Sequence, residues 1–135
     1  MEPFTVTSGA PILSVADVGR SLDFYTTKLG FTVEKHFDDP PFAILDRGTV
    51  KLALAEQGHA SDDRPGIEPT ALRDPTRPQV MLVLWVQDCP AVYEQLTADG
   101  VEFKTPPVYP PWGGSRCYAV DPDGYLVEIE QLGDG

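Results

Sequence analysis

An acidic run near the carboxyl end contains the residues best suited to bind a cation. It reads Asp-Pro-Asp-Gly-Tyr-Leu-Val-Glu-Ile-Glu from Asp121 to Glu130. The Asp-Pro-Asp-Gly portion is typical of a tight turn, and the residues after it alternate as in a β-strand. Glu128 and Glu130 therefore share one face of that strand. Carboxylate oxygens bind hard metal ions or positively charged organic groups, so Glu128 is a candidate metal ligand at a predicted cation site.

The elements that position these carboxylates belong to a pattern that occurs twice. Val15-Ala16-Asp17 is followed by an amphipathic stretch and a glycine turn, and the same order returns from Val86-Gln87-Asp88. Three pairs of positions mark the repeat, with separations of 71, 70 and 76 residues: Asp17 with Asp88, Gly30 with Gly100, and Gly48 with Gly124. The separations differ slightly, which we attribute to small changes in loop length. A duplicated unit predicts functional positions in equivalent pairs.

Each copy is predicted to fold as βαβββ. In the first copy, apolar residues recur at spacings of four, three and four, as on one stripe of a helix: Val18, Leu22, Tyr25 and Leu29. Asp17 and Asp88 are predicted N-caps, and Gly30 and Gly100 end the two helices in the left-handed conformation. The predicted fold class is α+β, with two βαβββ modules forming a curved mixed sheet around a cleft.

The chain is predicted to form a single domain over residues 1–135. Module 1 covers about 9–56, a proline-rich mobile linker covers about 57–79, and module 2 covers about 80–132. A second irregular loop, Thr105 to Gly114, contains Tyr109 and Trp112, and loops of this kind often contact ligands.

Charge and cysteine content narrow the function classes. The chain has 10 Lys and Arg against 21 Asp and Glu, for a formal charge of −11. This balance disfavours nucleic acid and anionic membranes and favours cationic small molecules, although solubility alone also explains it. Cys89 and Cys117 have neither a metal-site spacing nor a disulfide framework. With no apolar stretch near the roughly 18 residues that span a bilayer and no signal sequence, the prediction is a cytoplasmic protein.

These motifs together resemble a known family. The run Val15-x-Asp17-x-x-x-Ser21-Leu22-x-Phe24-Tyr25-x-x-x-Leu29-Gly30-Phe31, with Trp112-Gly113 and Asp121-Pro122-Asp123-Gly124-Tyr125-x-Val127-Glu128, resembles the vicinal oxygen chelate superfamily. That superfamily includes glyoxalase I, extradiol dioxygenases, and fosfomycin- and bleomycin-resistance proteins. The resemblance covers roughly residues 9 to 132 and implies two βαβββ modules around a cleft, paired across a homodimer. It is specific for the fold and says less about function, because one fold hosts many chemistries.

The resemblance also implies where a metal would bind. Enzymes of the superfamily hold a divalent ion at four equivalent positions, one on the first and one on the fourth strand of each module. Counted through the repeat, these positions are Ala10, Leu52, Met81 and Glu128. Three of the four cannot coordinate a hard cation, so the sequence predicts no metal and no cofactor. His36 and His59 fall outside these positions and are interpreted as solvated residues.

Strand alternation then defines the residues that line the predicted cleft. Ile12 and Ser14 join Ala10; Val50 and Leu54 join Leu52; Val83 and Trp85 join Met81; Leu126 and Glu130 join Glu128. Trp85 is a predicted stacking platform and Trp112 a second, with Phe42 and Tyr118 as further aromatic candidates of unassigned facing. Each of these aromatics could equally be a core or interface residue. The predicted ligand-binding set is Trp85, Trp112, Glu128, Phe42, Tyr118, Met81, Leu52, Ser14 and Glu130.

This composition suits a planar or amphipathic ligand with a positive charge. The preferred hypothesis is a metal-free binding protein, similar to bleomycin-resistance proteins, whose homodimer sequesters an amphipathic, cationic aromatic compound. The alternative is a glyoxalase- or dioxygenase-type enzyme that uses Glu56, Glu128 and a histidine, or acid–base carboxylates without metal. A third possibility is a degenerate domain that serves only dimerisation or protein contact. Bound metal separates the first two, and a cleft indifferent to ligands would favour the third.

Overall fold

The computed structural model describes residues 3–59, 65–71 and 74–133. The chain divides into two compact units, Met1–Ala71 and Leu72–Gly135, and the boundary falls inside the predicted linker. Each unit contains one copy of the sequence repeat. That the two copies form a single domain around a shared cleft stays a prediction.

The first unit contains a four-stranded mixed sheet. Its elements are β1 (Ile12–Val15), α1 (Val18–Asp23), a π-helical turn (Phe24–Lys28), β2 (Thr32–Asp38), β3 (Pro41–Arg47) and β4 (Val50–Glu56). The strand order is β1-β4-β3-β2, with β1 parallel to β4 and the other pairs antiparallel.

The second unit repeats this architecture. Its elements are β5 (Leu82–Trp85), α2 (Cys89–Ala98), β6 (Phe103–Val108), β7 (Ser115–Val120) and β8 (Leu126–Gln131). The order β5-β8-β7-β6 again places the first and last strands side by side in parallel. The α+β class and the βαβββ order of both copies are confirmed. No helix among the described residues is long and apolar enough to cross a bilayer.

Both helices begin in the same way. The Asp17 carboxylate accepts a hydrogen bond from the Arg20 amide at 2.9 Å, and the Asp88 carboxylate accepts one from the Ala91 amide at 3.0 Å. Each side chain satisfies an amide that the first helical turn leaves without a partner, so the two predicted N-caps are confirmed. Gly30 has φ 77°, a left-handed conformation that glycine adopts without steric cost, and the helix ends there as predicted.

A second cap, not predicted from sequence, ties the last strand of each unit to its helix. The Glu56 carboxylate accepts from the Val18 amide at 3.1 Å, and the Gln131 side-chain oxygen accepts from the Cys89 amide at 3.0 Å. The strand residue and the helix start are therefore held together in both copies.

The difference between the first two separations of the repeat, 71 and 70 residues, arises inside a helix. The Phe31 amide donates to the Tyr25 carbonyl, six residues back, whereas the equivalent Val101 amide donates to the Leu96 carbonyl, five residues back. The extra residue is accommodated by the π-helical turn Phe24–Lys28. The attribution to loop length was therefore wrong for this one-residue difference. It holds for the larger separation of 76, because six residues, 109–114, separate β6 from β7, whereas two, 39–40, separate β2 from β3.

The strand β4 is offset by one residue from the position that was expected when the two copies of the repeat were aligned at Gly48 and Gly124. Ser14 lies opposite Ala55, and Leu13 lies opposite Leu54, so Leu54 is on the other face from Ser14. Leu52 shares the face of Leu54 and is completely buried. The prediction that Leu52 and Leu54 line the same surface as Ser14 was wrong.

The cause of this shift is the length of the preceding turn. Two residues, 48–49, separate β3 from β4, whereas five residues, 121–125, separate β7 from β8. Counting four positions from each glycine therefore compares residues on opposite faces, because strand side chains alternate. The position equivalent to Glu128 is Ala53, which lies opposite Ile12 as Glu128 lies opposite Val83.

Two cysteines pack against each other under the second sheet. Cys89 Sγ lies 3.6 Å from Cys117 Sγ, and both residues are fully buried. Burial, together with the adjacent Cys89 thiol, raises the pKa of Cys117 to about 12. The Cys117 thiol is therefore protonated near neutral pH, and the two cysteines pack together inside the second unit.

Part of the predicted mobile linker is anchored to the first unit. The Gly58 amide donates to the Pro69 carbonyl at 3.2 Å, and the Ala71 amide donates to the Gln57 side chain at 3.2 Å. Pro69 and Ala71 are buried. Residues 65–71 therefore pack against the end of β4, while residues 60–64 and 72–73 lie outside the described part of the chain.

Two glycines with similar backbone angles provide a matched test of the loop before β7. A Cβ added at Gly114 (φ 76°) would overlap the Gln131 carbonyl oxygen, whereas a Cβ added at Gly48 (φ 65°) would have no atom within 4 Å. Both Ala variants incur the left-handed cost of roughly 1 kcal/mol. We expect Gly114→Ala to lower the free energy of unfolding by about 2 kcal/mol more than Gly48→Ala in urea titrations. Equal losses would contradict the close approach.

Candidate ligand-binding site

Three neighbouring strands of the second unit present polar and aromatic side chains on one face. Residues directly opposite one another in adjacent strands share a face. Two cross-strand rows follow from the register: Trp85, Glu130 and Arg116 in the first, and Val83, Glu128 and Tyr118 in the second. We call these six residues the β8 face. The structure thus brings together four residues of the predicted ligand-binding set and adds Arg116, which was not predicted.

Glu130 is held by partners on both sides. The Trp85 indole Nε1–H donates to Glu130 Oε1 at 3.0 Å, and Arg116 Nη2 lies 2.6 Å from Glu130 Oε2. The Glu130 side chain is only 11% exposed. A carboxylate this buried needs a charged partner or hydrogen bonds, and here it has one ion pair and one hydrogen bond. Glu130 is therefore neutralised by Arg116, and it also orients the Trp85 ring.

Glu128 has a different environment. It is buried, and its hydrogen-bond partner on this face is the Tyr118 hydroxyl. Burial raises the pKa of Tyr118, the hydrogen bond to Glu128 and the charge of that carboxylate raise it further, and Arg116 acts in the opposite direction. The phenol is therefore neutral near pH 7 and donates a hydrogen bond to Glu128. A continuous network runs from Trp85 through Glu130, Arg116 and Tyr118 to Glu128.

The two tryptophans are both exposed but differ in what touches their rings. Trp85 is 65% exposed and Trp112 is 71% exposed. The Arg116 guanidinium carbon lies 5.8 Å from the centre of the Trp112 ring, within cation–π distance. Arg116 therefore already covers part of Trp112. Trp85 is held by the hydrogen bond from its indole N–H to Glu130, so its aromatic face stays available for stacking.

Two buried polar atoms beside this network have no hydrogen-bond partner among the described residues. They are Arg116 Nε and Thr105 Oγ1. Thr105 lies opposite Tyr118 in the neighbouring strand β6, so it shares the same side of the sheet. Both groups can donate a hydrogen bond, and a ligand with a carbonyl or hydroxyl oxygen would satisfy them.

The predicted site residues of the first unit form a separate arrangement. Ser14, Ala55 and Phe42 lie in one cross-strand row, and the Phe42 ring is 6.5 Å from the Phe37 ring. Leu52 lies on the opposite face and is not part of this surface. In the second unit, Met81 precedes β5 and is 41% exposed.

The described side chains at the four expected metal-ligand positions are poorly suited to bind a metal ion. The four equivalent positions are Ala10, Ala53, Met81 and Glu128 once the register of β4 is corrected. Three of them still lack a group that coordinates a hard cation. Over residues 3–59, 65–71 and 74–133, no three His, Cys, Asp or Glu side chains cluster in a way that could hold a metal ion.

The glutamate and histidine side chains considered as catalytic or metal-binding groups of an enzyme contact other residues. Glu56 lies opposite Val15, on the face away from Ser14, and its Oε2 is 2.8 Å from His59 Nε2. The other Glu56 oxygen caps α1. His36 lies 3.8 Å from Asp38 in an exposed pair. Each of these groups is explained by a local structural contact.

Sequence reasoning missed Arg116 because the facing of β7 was not assigned. Its signal was present, since Arg116 and Tyr118 are two positions apart and must share a face. Thr105 was treated as the start of an irregular loop, whereas β6 extends to Val108 with interruptions in its pairing.

Comparison with known proteins supports the fold at the family level. The model of the Glyoxalase/Bleomycin resistance protein/Dioxygenase superfamily matches residues 7–129. An uncharacterised protein of Bacillus subtilis, YraH, is 26% identical over 121 residues, covering 89% of this chain and 94% of its own. A bleomycin resistance protein of Geobacillus stearothermophilus is 27% identical over 125 residues, covering 90% and 93%.

A solved structure gives the same result. The crystal structure of a glyoxalase/bleomycin resistance protein/dioxygenase from Nocardioides superposes with a TM-score of 0.77 at 29% identity, covering 97% of this chain and 88% of that chain. Sequence and structure therefore match the same superfamily over nearly the whole chain.

The hydrogen bond from Tyr118 to Glu128 predicts a specific alkaline response. Because the pKa of Tyr118 is raised on folding, the neutral phenol stabilises the fold below the ordinary tyrosine pKa of 10.0, and this contribution is lost as pH rises through the folded value. Above about pH 10, we expect the free energy of unfolding to fall more steeply in wild type than in Tyr118→Phe. The difference is bounded by about 1.4 kcal/mol per pH unit and reduced by solvent screening.

The matched control for this measurement is Tyr109→Phe, which removes a hydroxyl from an exposed loop residue. Urea unfolding between about pH 9 and pH 11 gives the three slopes. Identical slopes for wild type and Tyr118→Phe would show that the phenol does not donate to Glu128.

Proposed function

Because the chain belongs to the Glyoxalase/Bleomycin resistance protein/Dioxygenase superfamily, we propose that it is a metal-free binding protein that sequesters a planar aromatic compound with a positive charge. The observation that carries this proposal is the exposed Trp85 ring beside the buried carboxylates of the β8 face. An aromatic surface next to retained negative charge favours a ligand that is both planar and cationic.

Each part of the β8 face supplies a different contribution. Stacking on Trp85 removes apolar surface from water and adds roughly 0.5–1.5 kcal/mol beyond area burial. Glu128 adds attraction for a positive group, strengthened by its low exposure. The acidic chain, with its formal charge of −11, raises the local concentration of cations and speeds association.

Sequestration is sufficient for a resistance function. A protein that binds a toxic compound lowers its free concentration by mass action, with no need to alter it chemically. The name of the Geobacillus stearothermophilus relative, a bleomycin resistance protein, makes antibiotic binding the proposed biological role. The homodimer and the cytoplasmic location expected from sequence stay predictions.

An enzyme of the same superfamily is the alternative from a different class. Superfamily membership alone allows it, because one fold hosts several chemistries. The described contacts do not favour it, since Glu56 caps α1 and pairs with His59. The carboxylate of Glu128 would be its acid–base group, with Tyr118 as the hydrogen-bond donor.

Stacking on Trp85 predicts a ranking among binding variants. We expect Trp85→Ala to weaken binding of bleomycin, or of the best planar cation from a thermal-shift panel, by about threefold to tenfold. Trp85→Phe keeps an aromatic face and should recover part of the loss. Trp112→Ala should have a smaller effect, because Arg116 already occupies that ring. Calorimetric titration measures the affinities, and wild-type affinity in both Trp→Ala variants would rule out this site.

The equivalent positions Ala10, Ala53 and Met81 predict a protein without a resident transition metal. We expect elemental analysis of protein purified without chelator to find well below one Ni, Zn, Fe or Mn per chain, because one carboxylate binds such ions weakly. Ligand affinity should be unchanged by EDTA. Stoichiometric metal whose removal abolishes an activity would support the enzyme alternative instead.

A further inference from the structure

The β8 face contains a positive group of its own in the place where a ligand cation would be expected. Arg116 pairs with Glu130 at 2.6 Å and lies 5.8 Å from the Trp112 ring centre. A carboxylate and an aromatic ring are the two groups that recognise an organic cation. Arg116 therefore uses one carboxylate and one indole that a ligand would otherwise contact.

The remaining charge can be counted from the contacts. Glu128 and Glu130 contribute two negative charges, Arg116 contributes one positive charge, and the neutral Tyr118 contributes none. One net negative charge is left, and it resides on Glu128, whose described partner is a neutral hydroxyl. Because both carboxylates are buried, water screens this charge poorly.

We propose that Arg116 is a specificity-determining residue that matches the site to a single positive charge on the ligand, so that a second positive charge adds no affinity. The inference rests on the proposed function and deepens it. A monocation matches the charge left on Glu128, a neutral compound leaves that charge without a partner, and a dication brings its second charge toward Arg116. Like charges in a desolvated site repel, so the dication gains nothing from its additional group.

The geometry further specifies the ligand. Trp85 and Glu128 lie on one face, and Glu128 is two residues from Glu130, the residue opposite Trp85. Two residues of a strand span roughly 6.5 Å. We therefore expect the positive group of the ligand to be attached to the edge of its planar ring system by a short linker, and not to be part of the ring itself.

The test uses three probes that share a planar scaffold and differ only in charge. They are 2,6-bis(hydroxymethyl)naphthalene, its analogue with one hydroxyl replaced by an ammonium group, and its analogue with both replaced. Binding at about pH 8 is followed by the indole N–H signals of Trp85 and Trp112. In wild type we expect the monoammonium probe to bind about tenfold more tightly than the diol and no more weakly than the diammonium probe.

Variants change the local charge in steps, and the preferred probe should change with it. Arg116→Gln leaves two negative charges, so the diammonium probe should become the tightest ligand by about tenfold over the diol. Glu128→Gln and Glu130→Gln each leave no net charge, so the preference for ammonium over hydroxyl should fall to about twofold or less. Arg116→Lys keeps the charge and should retain the wild-type order.

Two controls separate local charge from other effects. Glu94→Gln removes one negative charge from an exposed position on α2 and should leave the order unchanged. The double variant Arg116→Gln/Glu130→Gln restores one net negative charge without leaving two unpaired carboxylates. It should recover the monoammonium preference, including in the case that Arg116→Gln alone does not fold.

The outcomes distinguish the inference from the function on which it rests. If the probes bind wild type but the double variant fails to recover the monoammonium preference, the role of Arg116 is overturned while aromatic binding stands. A diammonium preference in wild type would also overturn it. If no probe at millimolar concentration shifts either indole signal, the proposed function itself is overturned.

Discussion

The parallel pairing of the first and last strands in each unit is the constraint on which the candidate site depends. It places Trp85 beside Glu130, residues that are 45 positions apart in the chain. The pairing is secured at the helix start, where the last residue of the final strand caps an amide of the helix that follows the first strand. Parallel neighbouring strands must be joined by a crossover connection. The helix of each unit lies in that connection, which also brings the strands of the candidate site together.

The same scaffold holds different side chains in its two copies. At the positions equivalent to Glu128 and Glu130, the first unit has Ala53 and Ala55. Duplication preserved backbone pairing and both kinds of helix cap, whereas the polar network occurs only around β8 in the described contacts. Among the described residues, the polar groups of the candidate site therefore belong to the second unit. The buried charge of Glu130 is stabilised because Arg116 and Trp85 occupy its two oxygens, which fixes both side chains.

The candidate site could be predicted from sequence only in part. Alternation along β8 correctly grouped Glu128 with Glu130, and the Val-x-Asp motif fixed the register of β5, so Trp85 was placed near them. The same reasoning failed for Leu52, because the turns before β4 and β8 differ in length and one residue of offset reverses the facing. It also omitted Arg116, since alternation gives facing only after one residue of the strand has been oriented.

The sequence by itself determined the repeat, the α+β class, the two helix caps at Asp17 and Asp88, and the scarcity of metal ligands. These depend on local periodicity, turn chemistry and residue type, which are readable without knowing which strands pair. The tertiary structure alone decided the facing of β4, the π-helical turn that absorbs the extra residue, and the pairing of Arg116 with Glu130. Those features depend on contacts between residues far apart in the chain, and the charge that the β8 face presents depends on them as well.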